Sequence, residues 1–564
     1  MKTIEGHLVD VHKQRIYDAQ ITIKEGIISA IRPLSSPLSG DAPYLMPGFV
    51  DSHIHIESTL LVPHLFAPLA VAQGSVAVVA DPHEIANVLG VEGVDFMLAD
   101  AGTVRFGFNF AVPSCVPSTP FETAGAALDA DAVSLLLHRN GVVALAEMMN
   151  VPGVLNADAQ VMAKITAARD CGKPVDGHAP LLGGDALRRY VAAGITTDHE
   201  CSTLEEAEEK LAAGMMIMIR EGSAARNFDT LAPLLNRYGD RLMFCTDDIY
   251  PDELLQGHIN VMVRRAVAEG LPLWNVLRAA CVNPVEHYHL TTGLLREGDR
   301  ADFIAVGDLR QFEVRATYIG GEEVFCHNEG VLPALTCGRL DKTCPNNFHA
   351  ARLSQDALSV PVRGRRMRVI TATDGQLLTG CEVVDAFEFG SVPSHVMMHD
   401  TPYRVINDLS ENPHDIQKIV VYNRYQSAEP QVAYIKGFGL RKGAFAASVA
   451  HDCHNLVAVG CSDADLVEVI NRLVDTRGGF AVTDGCEMLD LPLPVAGLMS
   501  AQPGSEVAQR LVSLKQRIRD LGCTMAAPLM TLSFMALPVI PALKLTDMGL
   551  FDGEKFQFTE LFCD

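Results

Sequence analysis

The residues best suited to chemistry lie in the stretch Met46–Glu57, Met-Pro-Gly-Phe-Val-Asp-Ser-His-Ile-His-Ile-Glu. Pro47 and Gly48 mark a turn, and Phe49 and Val50 open an apolar run that reads as a short buried strand. Alternate side chains of a strand share a face, so His53 and His55 point the same way and can act as paired metal ligands. Many His-x-His pairs are only surface or hydrogen-bonded core histidines, so the metal reading depends on partners further along the chain.

Such partners recur at the ends of other apolar runs. Ala144-Leu-Ala-Glu147 closes one, Asp176-Gly-His178 the next, Asp198-His199-Glu200 a third and Cys245-Thr-Asp247-Asp248 a fourth. A carboxylate at the end of a buried strand is costly unless it is paired or bound to a cation. The histidines His53, His55, His178 and His199, with Glu147 and Asp247, can hold two divalent metals and a bridging water. Spacing alone leaves open whether Asp247 or Asp248 turns inward. No cysteine joins the set, which favours Mn²⁺ or Fe²⁺ and also admits Zn²⁺. Such ions bring the pKa of a bound water toward ~7 and make a hydroxide nucleophile at neutral pH. The chemistry expected is metal-assisted hydrolysis.

The elements that must position these residues alternate short apolar runs with helical stretches. Eight runs stand out: Phe49–His55, Ser75–Pro82, Arg105–Pro113, Val142–Asn150, Pro174–Ala179, Ile195–Glu200, Met216–Glu221 and Leu242–Asp248. Helices are expected between them, among others over Thr203–Ala213 and Pro251–Ala280. This is the pattern and size of a (β/α)₈ barrel, whose active sites lie at the C-terminal strand ends. Residues 1–45 and 291–335 read as the two parts of one composite β domain around a barrel at 46–290. A linker is expected at 336–368, and an additional α+β domain at 369–564 with a strand at Ile416–Tyr422 and helices at Asp463–Thr476 and Ser505–Leu521.

Composition narrows the partners. A net charge of −24 over 564 residues argues against binding a phosphate backbone, so nucleic acid is not expected. The first residues lack the apolar core of a secretory signal, and no apolar run approaches a membrane span. Fourteen scattered cysteines without any Cys-x-x-Cys read as reduced, mostly buried thiols. The expected setting is cytoplasmic, away from membranes.

The Pro47–His55 opening and its His, His, Asp sequel resemble the amidohydrolase superfamily and, within it, the bacterial adenine deaminases. The carrying stretches run along nearly the whole chain: His53–Ser58, Ala80–Asn87, Pro113–Pro117, Ala146–Asn150, Asp176–Pro180, Asp198–Cys201, Met218–Ser223 and Cys245–Asp248. Ser448–Asn455, Leu491–Met499 and Met530–Phe534 extend the likeness into the C-terminal region. The resemblance implies hydrolysis of adenine to hypoxanthine and ammonia by a metal-activated bridging hydroxide, in a homodimer with two ions per chain. An N6-substituted adenine, or another cyclic amidine or amide, is the alternative substrate.

By the same resemblance, Glu147 bridges the ions, His53, His55 and Asp247 hold one, and His178 and His199 hold the other. Asp247 also accepts a proton. Glu200 is the expected proton shuttle, unless it only orients His199. His83, Glu84, Glu57 and Asp248 are the expected substrate contacts, with an extra ion or a helix cap as alternatives for the first two. Arg220 and Glu221 are expected to pair with each other. His451, Asp452 and His454 are expected in a buried structural network rather than at the site. Leu181 stands where a glycine is usual, and Ile249-Tyr250 where a basic residue is common.

Overall fold

In the computed structural model, residues 1–338, 344–386, 397–398, 401–402, 409 and 414–563 are described. Of the expected linker, 339–343 lie outside them, as does much of 387–413 in the expected C-terminal domain.

The chain opens with β1 (Lys2–Asp10), β2 (Arg15–Lys24), β3 (Ile27–Pro33) and β4 (Tyr44–Pro47). Eight barrel strands follow: β5 (Phe49–Ile54), β6 (Ser75–Ala80), β7 (Gly107–Val112), β8 (Val142–Met148), β9 (Val175–Gly177), β10 (Thr197–Asp198), β11 (Met216–Arg220) and β12 (Leu242–Cys245). After them come β13 (Phe303–Val306), β14 (Val314–Ile319), β15 (Glu322–Cys326) and β16 (Gly330–Val331).

Strands β5 to β9 form one parallel sheet and β10 to β12 another. Parallel bridges Val175↔Ile195 and Ile54↔Asp247 join them on both sides, which closes an eight-stranded barrel. Every residue of β5, β6 and β12 is buried, as expected for strands covered on both faces by the barrel interior and the outer helices. All eight expected runs contain a strand. β9 and β10 are shorter than expected because their last residues leave the ladder to carry site side chains.

The helix expected over Pro251–Ala280 is instead broken into Pro251–Leu254, Ile259–Ala268 and Leu273–Leu277, followed by a wide turn at Arg278–Val282. Gly257 and Gly270-Leu-Pro272 interrupt the pattern, and Gly270 takes the left-handed φ of 81°. The helix expected over Thr203–Ala213 forms as Leu204–Ala212, with the Thr203 side chain accepting from the Glu206 N–H.

Outside the barrel, β4 pairs in parallel with β1 and antiparallel with β13, giving the sheet order β16-β15-β14-β13-β4-β1-β2-β3. The chain passes from this sheet into β5 through Gly48, where a Cβ would lie 2.3 Å from the Val76 side chain. Further on, β17 (Arg366–Thr371) and β18 (Gly380–Asp385) edge a nine-stranded sheet whose centre includes Ile416–Tyr422 and Leu456–Gly460. Helices Asp463–Thr476 and Gly504–Asp520 belong to this region. One apolar core runs from the barrel into it, through Leu60, Leu61, Leu498, Met499 and Phe534. The Ser500 N–H donates to Leu60 O at 2.7 Å across the same seam. All 14 cysteines are free, and seven are buried, fewer than expected. No helix among the described residues is long and apolar enough to cross a membrane.

The barrel seam depends on Asp51. Its Oδ1 accepts the Thr246 N–H at 3.1 Å, and its Oδ2 accepts the Thr246 hydroxyl and His258 Nε2, the latter at 2.9 Å. Replacing Asp51 by Ala strands these buried donors, and the expected loss is about 3–5 kcal/mol. A urea midpoint equal to wild type would contradict that role.

Candidate metal and active site

The C-terminal strand ends open into a cavity lined by residues of both the barrel and the C-terminal region. β5 delivers His53 and His55, with ring centroids 4.8 Å apart. His55 Nδ1 bonds the Asp81 carbonyl at 3.0 Å, so the ring donates there and keeps its Nε2 lone pair inward. That Nε2 lies 3.4 Å from Glu147 Oε1 and 3.1 Å from Asp247 Oδ1. His53 Nε2 lies 3.3 Å from the same Asp247 oxygen.

Glu147, at the end of β8, presents its other oxygen to the far side of the cavity. His178 Nδ1 is 2.6 Å from Glu147 Oε2, and His199 Nε2 is 3.4 Å away. His199, just past β10, stacks on His53 with centroids 4.3 Å apart, bringing the two halves together. The six expected donors therefore converge, with Glu147 between His55 on one side and His178 and His199 on the other.

This donor set fits divalent metal. His53 Nε2 and His199 Nε2 are buried without a hydrogen-bond partner, although carboxylate oxygens lie 3.3 and 3.4 Å away. Two imidazole nitrogens left without partners beside carboxylates suit ligation of a shared cation. His/Asp/Glu groups of this kind include the buried His53–His199–Asp247 and Glu147–His178–His199, in which His178 is half-buried.

The supports explain the positions. Asp198 Oδ2 accepts the Ala179 N–H at 2.9 Å and its Oδ1 the Glu200 N–H at 2.7 Å, tying the ends of β9 and β10. The buried Lys210 ammonium neutralises Asp198 at 3.2 Å. Asp247 has a left-handed φ of 57°, a conformation aspartate tolerates better than most residues. The turn lets its N–H donate to His53 O at 2.9 Å while its own carbonyl accepts from the His55 N–H at 3.0 Å. Asp247 thus faces the metal donors, whereas Asp248 accepts the Ser58 hydroxyl.

Arg220 does not pair with Glu221. Its Nη1 donates to Asp247 Oδ2 at 2.7 Å and to Glu200 Oε1, and its Nη2 to Glu200 Oε2 at 3.2 Å. Glu221 is held instead by Arg265 at 3.0 Å. The side chain of Asn227 fixes the end of β11 by accepting the Arg220 N–H at 2.7 Å and donating to His199 O at 3.2 Å.

Burial opposes ionisation of these carboxylates, and at Glu147, Asp247 and Glu200 the partners outweigh it. His178, His199 and His55 hold Glu147 well below the usual range. Arg220 with His53 and His55 does the same for Asp247, and Arg220 with His178 lowers Glu200. Asp248 is pushed up by burial and by Asp247, although His451 and His55 oppose.

Of the expected substrate contacts, His83, Glu84 and Asp248 line the cavity. Glu57 does not line it; its Oε1 accepts the Ile85 N–H at 3.1 Å. The helix beginning at His83 has its first N–H groups accepted by Asp81 and Glu57, so the capping alternative for His83 and Glu84 is not realised. The largest departure from expectation is in the C-terminal region. His451 and Asp452 line the cavity, while His451 Nδ1 and His454 Nε2 bond the two oxygens of Glu84. Leu377, Phe534, Leu537, Val539 and Ile540 complete an apolar wall. The polar run Ser448–Asn455 among small apolar residues was the available signal, but only the fold shows which barrel residue it meets. Leu181, in the position where glycine is usual, has a left-handed φ of 61° and is exposed.

Residues 44–324 match the amidohydrolase family, and 397–557 match the adenine deaminase C-terminal domain. The chain is 50 % identical to an adenine deaminase of Salinibacter ruber, over 100 % of this chain and 99 % of the relative. It is 48 % identical to an adenine deaminase of Methanosarcina acetivorans over the full length of both. The structure of N-acetyl-D-glucosamine-6-phosphate deacetylase from Mycobacterium smegmatis covers 57 % of this chain with 17 % identity and a TM-score of 0.43.

Glu147→Gln keeps the shape but removes the charge that three imidazoles face. Bound divalent metal after gel filtration should fall, with affinity weakened at least roughly tenfold. Metal content equal to wild type would contradict the convergence on Glu147.

Proposed function

The chain belongs to the adenine deaminase family, and from that premise we propose that the cavity hydrolyses adenine to hypoxanthine and ammonia. The observation that supports this most directly is Glu147, placed between the His53–His55–Asp247 group and the His178–His199 group. His53, His55 and Asp247 would hold one divalent ion and His178 and His199 a second, with Glu147 serving both. Imidazole and carboxylate donors suit Mn²⁺, Fe²⁺ or Zn²⁺. When bound, such ions bring the pKa of a water toward ~7 and stabilise charge developing on oxygen.

The chain's own groups carry the rest. Adenine loses its 6-amino group and gains the water oxygen at C6. One water proton ends on N1 of the product and the other on the departing ammonia. We assign the proton-accepting step to Asp247, whose Oδ1 faces the two histidines of β5. Glu200 is the shuttle to the leaving amine. Arg220 holds Asp247 and Glu200 side by side and keeps both ionised. Arg220 is a positioning residue for this pair.

The purine rings fit the apolar wall. Met149, Ala224 and Ala225 come from the barrel, and Leu377, Phe534, Leu537, Val539 and Ile540 from the C-terminal region. Together they present hydrocarbon to a flat, uncharged heterocycle and exclude water around the reacting carbon. An acidic chain has no need to repel this substrate, because adenine carries no phosphate.

Turnover in water enriched in heavy oxygen tests the reading. Hypoxanthine should gain one heavy oxygen for each ammonia released, and activity should disappear on chelation. Absence of product from metal-loaded protein would overturn adenine as the substrate. Glu200→Gln should lower kcat by ~10²–10⁴-fold with a smaller change in KM. A kcat near wild type would reduce Glu200 to a group that orients His199.

A further inference from the structure

A second cluster of metal-type donors lies where the barrel meets the C-terminal region. We propose that His83, Glu84 and Asp452 form a separate divalent-cation site that pins this region onto the mouth of the barrel. His83 Nε2 lies 3.4 Å from Glu84 Oε1 and 3.8 Å from Asp452 Oδ1. One donor atom from each residue falls within 4.8 Å of the others, and all three residues are buried. Metal bonds of roughly 2.0–2.2 Å place neighbouring donors roughly 2.8–3.6 Å apart. The shorter contact falls inside that range, and the longer one needs only a few tenths of an ångström from the Asp452 side chain.

The ring of His83 is set for ligation. Its Nδ1 bonds Asp81 Oδ2 at 2.9 Å, so the proton sits there and the Nε2 lone pair faces the two carboxylates. Asp81 therefore orients two imidazoles, His83 through its side chain and His55 through its backbone carbonyl. The resulting Nε2-to-carboxylate spacing at His83 matches the 3.4 Å between His55 and Glu147.

Independent support comes from a polar atom without a partner. Asp452 Oδ2 is buried and makes no hydrogen bond, and Asp452 is only 3 % exposed. His451 and His454 bond the two Glu84 oxygens and so steady the carboxylate from the C-terminal side. One nitrogen and two oxygens suit Mn²⁺ or Zn²⁺. Two of the ligands come from the barrel and the third lies more than 360 positions later in the chain, so the ion would act as a clamp.

The test uses full-length protein stripped of metal, reloaded with Mn²⁺ and freed of excess by gel filtration. Wild type should carry one ion more per chain than Asp452→Asn, and Mn²⁺ should raise the wild-type Tm more than the variant's. Anomalous diffraction from Mn²⁺-loaded wild-type crystals should show a peak between His83, Glu84 and Asp452. That map decides the matter even if the variant fails to fold. Equal metal content in folded wild type and variant, or a map with peaks beside Glu147 but none at the triad, would overturn the clamp. Either result would leave the deaminase reading intact. A triad peak in protein that does not turn over adenine would support the clamp and count only against that reading.

Discussion

A single buried carboxylate sets the terms for this structure. Glu147 is 3 % exposed at the end of an apolar strand, where an unpaired charge would be prohibitively expensive. The molecule answers by turning His55, His178 and His199 toward it from three other strand ends. Those rings in turn need fixed tautomers and rigid backbones, which Asp81, Asp198 and the Asp247 turn provide. The closed barrel is the frame that can hold so many converging polar groups.

The second constraint is charge balance. Asp247 and Glu200 share one guanidinium, so Arg220 keeps both ionised where burial would neutralise them. Glu84 is kept ionised by His451 and His454 from the C-terminal region together with His83 of the barrel. That region is thus part of the electrostatics of the cavity, as well as the source of its apolar wall. The continuous core through Leu61, Met499 and Phe534 makes the association rigid enough for such contacts to matter.

Much of the barrel was legible from the sequence because β/α alternation leaves a local trace: buried strands are short apolar runs, and their polar ends stand out. Glu147 was visible as a charge at the end of Ala144-Leu-Ala, and His53 and His55 through the two-residue period. Helix continuity over 251–280 was misread because isolated glycines and Pro272 break a pattern that is otherwise periodic. The pairing of Arg220 was misread because its sequence neighbour Glu221 points to the other side of the strand, toward Arg265. The meeting of Glu84 with His451 and His454 had no local trace. It depends on how two distant parts of the chain dock, which no periodicity encodes.

We propose that Glu147 joins two divalent ions through nitrogen and oxygen donors alone, which X-ray absorption of Zn²⁺-loaded protein would reveal. The expected spectrum has a first shell without sulfur and a metal–metal contribution at roughly 3.5–4 Å. Sulfur scattering, or a spectrum of isolated ions with no metal–metal contribution, would contradict it.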